Sequence, residues 1–520
     1  MKVVSVEEMK AVEKHADANG VRYDRMMQNA GRGIAEWVLD HTSTRRGVVG
    51  LLGSGNNGGD TLIALTLLSQ RGIRTNAFLA RQRSDDPLVS AYISSGGVVT
   101  DISQGEKLEI LEAALIPGSI LLDGILGTGL RLPIREDLYG ILTRTSKLVN
   151  NRSKVLKIAV DCPSGVDCDT GEASDATICV DHTLSMAAIK QGLLKPPARS
   201  CCGEIHGIDI GINDISGHLV SGCPVMLDAQ FAQANLPHRP DSGHKGTFGS
   251  CLVIAGSRPY TGAAFLSGKA AYRAGCGLVH MATTQAVYEN IAGQLVEAVW
   301  TLLPSIEDGY DPKGVRMLAE SIQKADSLVI GPGWGLKDTN TEFLEGLLEV
   351  VPGDTSTLFD ADGLKLLSRL TQWWTRLPES TVLTPHPGEM SVLTGLDVQE
   401  IQANRWKVAK EFAERWGVIL VLKGAVTVIA GPDREMFINP VSSSALATAG
   451  SGDVLSGLVG GLLAQNVPSL KAAAVGVWLH TLAGLAAAVK RENEASVTAN
   501  DFLENLTTGV VSFRPSGEGK

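Results

Sequence analysis

The chain has 520 residues, a formal net charge of −10 and 44% hydrophobic residues. That length exceeds one ordinary hydrophobic core and sets two domains as the expectation, while an acidic balance without a basic run speaks against nucleic acid as a partner. Eight cysteines without a C-x-x-C pair, two of them adjacent at Cys201-Cys202, argue against a zinc site or disulfide framework and for a reducing cytoplasm.

The opening residues, Met1 to Glu8, hold no apolar core of signal-peptide length. A helical stretch is expected from Val6 to about Leu39. Gly47 to Leu52 reads as a buried strand entering Gly53-Ser54-Gly55-Asn56-Asn57-Gly58-Gly59-Asp60 and then a helix to about Gln70. Glycines 53, 55 and 58 satisfy G-x-G-x-x-G in the strand–turn–helix setting that places a phosphate on a helix N-terminus. The following strand, Arg74 to Leu79, ends at Ala80-Arg81 with no acid for a ribose, so the match to a hydride-transfer fold is partial. Strands at Ile120–Asp123 and Leu156–Asp161 lead into the loops Gly124–Leu130 and Cys162–Asp167. Carboxylates at the ends of parallel strands converge on one sheet edge. Asp60, Asp123 and Asp161 can therefore share a site with Asn57 and Ser164, where a single strand-end Asp would more often cap a turn.

After Gly211 the pattern breaks, with an exit over Ile212 to about Gly222 and an entry at Leu236 to Pro240. The expected domains are 1–221 and 222–520. The α/β rhythm then restarts: a strand at Cys251–Gly256, a turn at Thr261–Ala264, then strands ending in Gly331–Gly335, Asp360–Gly363, Pro385–Met390 and Lys423–Thr427. His386, stiffened between two prolines, suits a ligand contact or a structural role equally, and Lys423 either meets a phosphate or snorkels. Thr448-Ala449-Gly450-Ser451-Gly452-Asp453 opens a helix whose first N–H groups suit an anion. Asp453 is either a first-turn acid favoured by the helix dipole or a base for a substrate hydroxyl. No G-x-x-x-x-G-K-[ST] is present, which argues against a P-loop kinase. Ala472 to Val489 is the most apolar helix-like stretch; with His480 inside it, it reads as a buried helix and not a membrane span. The polar tail from Arg514 is expected to fray.

Loops in both halves of the chain resemble known families. His244–Gly249, Gly331–Gly335, Thr384–Glu389, Lys423–Ala425 and Ala449–Asp453 are similar to the ADP-dependent NAD(P)H-hydrate dehydratases of the ribokinase-like superfamily. Gly55–Asp60, Asp123-Gly124 with Gly127–Gly129, and Asp161–Gly165 resemble the NAD(P)H-hydrate epimerase domain. The order is that of fused bacterial and archaeal coenzyme-repair enzymes, and the resemblance covers nearly the whole chain. Cys162 departs from the small or hydrophobic residue expected there, leaving Asp161 and Ser164 in place.

The resemblance implies a Rossmann-like three-layer domain followed by a ribokinase-like α/β/α domain. It also implies a bifunctional isomerase and lyase that interconverts the R and S hydrates of NADH and NADPH and dehydrates the S form with ADP. Asp453 and Asp161 are the implied catalytic residues. Asn56, Asn57, Gly58, Gly59, Asp60, Gly127, Thr128, Gly129, Leu130, Arg131, Leu132, Pro133 and Asp161 would bind the hydrate in the first half; Ala263, Gly335, His386 and Asp453 would bind it in the second. Lys423, Gly424, Ala425, Val426, Thr427, Gly450, Ser451 and Gly452 would hold the nucleotide. Asn57, Asp123 and Ser164 would ligate potassium; magnesium would accompany ADP. A cytoplasmic homo-oligomer without nucleic-acid or membrane partners completes the expectation. The rival reading is a ribokinase-like small-molecule kinase fused to a dinucleotide-binding scaffold.

Overall fold

Alternation along Val48-Val49-Gly50-Leu51-Leu52 sends successive side chains to opposite faces. In the computed structural model Val48 and Leu52 join one apolar cluster while Val49 and Leu51 join another. A strand buried on both faces needs helices on both sides, the signature of a parallel α/β sheet. The structure describes residues 1–150, 154–212 and 217–511; residues 213–216 of the expected exit and the tail from Arg514 lie outside them. The chain divides into two units, Met1–Pro224 and Val225–Lys520.

In the first unit the strands of the main sheet are β1 (Val48–Leu52), β2 (Thr75–Leu79), β3 (Val98–Asp101), β4 (Ile120–Gly124), β5 (Leu156–Val160), β6 (His182–Met186) and β7 (Glu204–Ile208). They form one sheet in the order β3-β2-β1-β4-β5-β6-β7, parallel throughout. This is the expected Rossmann-like three-layer arrangement. Two helices stand where one was expected: α1 (Val6–Ala18) and α2 (Tyr23–His41). Asn19 caps α1, its N–H reaching the carbonyls of His15 and Ala16, and Gly20 at φ 102° turns the chain away. Helix α3 (Asn56–Gln70) follows β1 as expected. A second correction concerns the cysteines: Cys179 and Cys201 form a disulfide. The Val180 N–H donates to Cys201 O at 3.0 Å, so the two segments lie side by side, a proximity that spacing in the sequence does not carry.

The second unit is built on β8 (Val225–Met226), β9 (Ser250–Ile254), β10 (Leu278–Thr284), β11 (Val299–Leu303), β12 (Ser327–Ile330), β13 (Ser356–Phe359), β14 (Thr381–Leu383), β15 (Ile419–Leu422), β16 (Thr427–Ala430) and β17 (Met436–Asn439). Their order is β8-β17-β16-β15-β14-β13-β12-β9-β10-β11, with β16 antiparallel to both of its neighbours. The expected ribokinase-like α/β/α layering is present. One face carries α4 (Thr261–Arg273), α7 (Ser451–Ala464), α8 (Ser469–Arg491) and α9 (Ala499–Val511). α8 alone among the described helices is long and apolar enough to cross a membrane, yet 61% of its apolar window is buried within the unit.

Helices α4 and α7 approach so closely that a Cβ on Gly457 would stand 2.0 Å from Ser267 O. Main chain cannot yield there as a side-chain end can. Gly457→Ala is expected to destabilise this unit by about 1–3 kcal/mol, read as a lower midpoint of its transition in chemical denaturation; an unchanged midpoint would contradict this packing.

Candidate functional sites

In the first unit, β1 ends just before Gly53 and α3 begins at Asn56. Arg83, inconspicuous in the sequence, holds the intervening turn: its Nη1 donates to Gly53 O at 2.7 Å and Gly55 O at 3.0 Å, and its Nε to Asp86 at 2.6 Å. Beside the turn lies a cavity of about 760 Å³ lined by Asn56, Asn57 and the whole segment Gly127–Pro133, with Lys10 and Arg81 at its wall. Gly58, Gly59, Asp60 and Asp161 do not line it.

Asn57, Asp123 and Ser164 are brought together around one peptide. Asn57 Nδ2 donates to Leu126 O at 3.1 Å and Val160 O at 2.7 Å, while the Leu126 N–H donates to Ser164 Oγ at 2.9 Å. Ser164 donates to Asp123 twice, from Oγ at 2.5 Å and from its N–H at 2.8 Å. Burial pushes the Asp123 carboxyl up to about 6 despite these bonds. Among the described residues no cationic side chain pairs with it. A buried carboxylate without a counter-charge, ringed by amide, hydroxyl and carbonyl oxygens, is a donor set that fits an alkali cation.

A second buried group surrounds Asp161. This residue sits just past β5 with φ 66°, a left-handed conformation costly outside glycine and often found at functional sites. Its Oδ1 accepts from the Met186 N–H at 3.1 Å and forms a very short ion pair with Lys190. Lys190 also donates to Met186 O at 2.9 Å and is 1% exposed. Burial pulls its ammonium down, but the Asp161 charge outweighs this and holds it above the ordinary lysine value. Asp60 lies in the same field; burial, then the charges of Asp161 and Glu13, push its carboxyl well up. Nothing in the residue pattern singles out Lys190 beyond its place as a lysine inside an otherwise apolar run.

In the second unit, Gly450 caps α7 at φ 85°, and a Cβ there would also strike Leu266 Cδ1 at 2.6 Å. Ser451 N–H donates to Thr448 O and Val454 N–H to Gly450 O, leaving the N–H groups of Gly452 and Asp453 without a main-chain acceptor among the described residues. Asp453 carries a carboxyl pushed up to about 7, first by burial and then by the charge of Asp360, with Lys423 opposing. Lys423 Nζ donates to Asp360 Oδ1 at 2.9 Å, and Ser456 Oγ donates to Asp360 Oδ2 at 2.6 Å. Asp360, buried at the end of β13, is a site member whose role the strand-end pattern alone does not reveal.

His386 does two jobs. Its Nδ1 accepts from the Gly388 and Glu389 N–H groups at 3.0 and 3.2 Å, capping α5 (Pro387–Thr394), and its Nε2 stands 3.2 Å from Glu389 Oε1. Burial raises the Glu389 carboxyl, but His386 and Lys423 outweigh this and hold it below its ordinary range. The Lys423–Thr427 loop is fixed from behind by Arg405 of α6 (Arg405–Trp416), whose Nη2 donates to Leu422 O, Lys423 O and Val426 O at 2.8, 3.0 and 3.2 Å. A cavity of about 770 Å³ is lined by His386, Lys423, Gly424, Ala425, Thr427, Ser451 and Gly452. Val426, Gly450, Asp453, Ala263 and Gly335 are not in its wall. Ala263 packs beside Gly333, and the Gly335 N–H donates to Asp362 at 2.8 Å. Asp360, Asp362 and Glu389 all act on Asp453, and the four carboxylates share two ammoniums: Lys423, beside Asp360 and Glu389, and Lys365, 3.2 Å from Asp362. That surplus of hard, buried carboxylate oxygens fits a magnesium ion arriving with a diphosphate.

Two α/β units, each with buried carboxylates beside a glycine turn suited to anions, define an enzyme working on phosphorylated small molecules. Residues 23–192 match the family described as YjeF-related protein N-terminus, and residues 251–508 the family described as NAD(P)H-hydrate dehydratase. The bifunctional NAD(P)H-hydrate repair enzyme of Moorella thermoacetica is 33% identical over 515 residues, covering 95% of both chains. That of Escherichia coli (strain K12) is 32% identical over 500 residues, covering 94% of this chain and 90% of its own. The crystal structure of an ADP/ATP-dependent NAD(P)H-hydrate dehydratase from Bacillus subtilis, co-crystallised with ATP and Mg2+, is 30% identical; it covers 56% of this chain and 99% of its own, at a TM-score of 0.47. The chain belongs to the family of bifunctional NAD(P)H-hydrate repair enzymes.

Proposed function

We propose that the second unit dehydrates the S hydrate of NADH and NADPH at the expense of ADP, and that the first unit converts the R hydrate to S. The observation that carries this is Asp453, a carboxyl raised to about 7 at the mouth of an anion-binding helix. Hydroxide is a poor leaving group, so the hydroxyl at C6 has to be converted into a better one. Asp453 takes the hydroxyl proton, the oxygen attacks the terminal phosphorus of ADP, and AMP departs. The phosphorylated hydrate then expels phosphate, driven by the ring nitrogen, and the reduced coenzyme is restored. The N–H groups of Gly452 and Asp453 and the Lys423 ammonium meet the charge that builds on the phosphoryl oxygens. Magnesium held by Asp360 and Glu389 would neutralise further phosphate charge. His386 faces the hydrate, and Lys423–Thr427 with Gly450–Gly452 cradle the nucleotide.

In the first unit, Asn56, Asn57 and Gly127 to Pro133 bind the hydrate's phosphates, and Asp161 moves the proton as the C6 hydroxyl leaves and returns. Lys190 is a positioning residue that pairs with Asp161 and holds it in place. Potassium held by Asn57, Asp123 and Ser164 would steady the Leu126 turn.

Incubating the purified protein with mixed epimers, magnesium and ADP should restore the absorbance of the reduced nicotinamide and release one AMP and one phosphate per turnover. A stable phosphorylated product would instead establish the kinase reading, and parallel runs with ATP decide the donor. Arg405 offers an independent check on the nucleotide loop. Lysine cannot reproduce a fork that serves three carbonyls, so Arg405→Lys should raise the KM for ADP about tenfold, the equivalent of one or two lost hydrogen bonds, with a smaller effect on kcat. An unchanged KM would separate Arg405 from nucleotide binding.

A further inference from the structure

The parallel strands β6 and β7 begin at His182 and Glu204, at the sheet edge opposite the loops that carry Asp123 and Asp161. His182 is paired with Glu204 and Leu184 with His206. Residues two apart on a strand, and register partners on neighbouring strands, share one face. His182, Glu204 and His206 therefore project together on the side of the sheet where Trp37 of α2 packs. His182 Nδ1 lies 3.1 Å from His206 Nε2, and Glu204 Oε2 lies 3.8 Å from each ring. Trp37 backs both imidazoles, at 5.0 and 4.9 Å between ring centroids, and stacks on His41 at 4.7 Å, so the ring positions are set by packing.

We propose that His182, Glu204 and His206 form a site for a zinc-class divalent ion that ties the edge strand β7 to β6. Tetrahedral zinc with ligands at about 2.0–2.1 Å separates its ligand atoms by about 3.3 Å. The two nitrogens already stand near that spacing, and the exposed Glu204 carboxylate needs to move in by only about 0.5 Å. Two imidazoles and one carboxylate select borderline ions such as zinc, nickel or cobalt over magnesium or potassium. Water fills the fourth position. The cysteine spacing that argued against zinc does not bear on this set, which uses no thiolate. The site serves the architecture of the first unit and is separate from both reaction centres.

The test is equilibrium dialysis of the chelator-treated full chain against zinc, alongside the double variant His182→Ala/His206→Ala and the single variant Glu204→Gln. The unaltered protein should hold one zinc more per chain than the double variant, with Glu204→Gln weakening binding at least tenfold. Cobalt(II) should give the visible absorption bands of tetrahedral coordination in the unaltered protein alone. Both variants should retain epimerisation and dehydration, which shows them folded. Equal zinc content in the unaltered protein and the double variant would overturn the proposal, as would full affinity in Glu204→Gln, whose exposed position makes misfolding irrelevant.

Discussion

Replacing Asp453 with asparagine is expected to lower dehydration of the S hydrate by about 10²–10⁴-fold, the usual range for a lost general base, with ADP binding and epimerisation preserved. The side chains are near-isosteric and the cap at Gly450 is untouched, so the loss would be chemical. The carboxyl stands at about 7, and only its ionised form accepts a proton. kcat/KM should therefore rise with pH to a plateau above about 7 and fall tenfold per unit below it. Asp453→Asn should show a flat residual rate. Because Asp360 is the charge that lifts Asp453 most strongly, Asp360→Asn should move the limb to lower pH. A limb that stays in place in both variants would assign the titration to another group.

The second large effect concerns Asp161. Asp161→Asn should abolish epimerisation, again by about 10²–10⁴-fold, while the S form is still dehydrated. Given mixed epimers, the variant should consume S and leave R. The substitution also strands the buried ammonium of Lys190, and breaking a buried pair on one side costs about 3–5 kcal/mol. The double variant Asp161→Asn/Lys190→Met should recover much of that stability without recovering epimerisation. Return of activity with stability would mean that the pair is structural only. Loss of dehydration along with epimerisation would point to general misfolding.

The parts of this architecture visible in the sequence are those written in local pattern. The glycine turn at Gly53–Gly59 and the helix start at Gly450 follow from backbone requirements, and Asp123, Asp161 and Asp360 are recognisable as strand ends from the apolar runs before them. Less visible are the partners reached across the fold. Lys190 meets Asp161 from 29 residues away, Lys423 meets Asp360 from 63, and Ser456 reaches Asp360 across 96. No periodicity links such pairs, because the sheet order brings them together. The break between α1 and α2 is legible, with Asn19-Gly20 in plain view, but apolar periodicity on either side masks it. The Cys179–Cys201 bond belongs with the long-range partners: its neighbours are set by how the β5–β7 connections fold.

In the proposed reaction the coenzyme's own hydroxyl oxygen attacks the nucleotide after Asp453 takes its proton. An S hydrate carrying oxygen-18 at C6, incubated with ADP and the unaltered protein, tests it in one mass spectrum. The label should leave in inorganic phosphate, with none in AMP. Label released in water would mean that the C6 oxygen never bonded to phosphorus, and Asp453 would then not be the base that activates it.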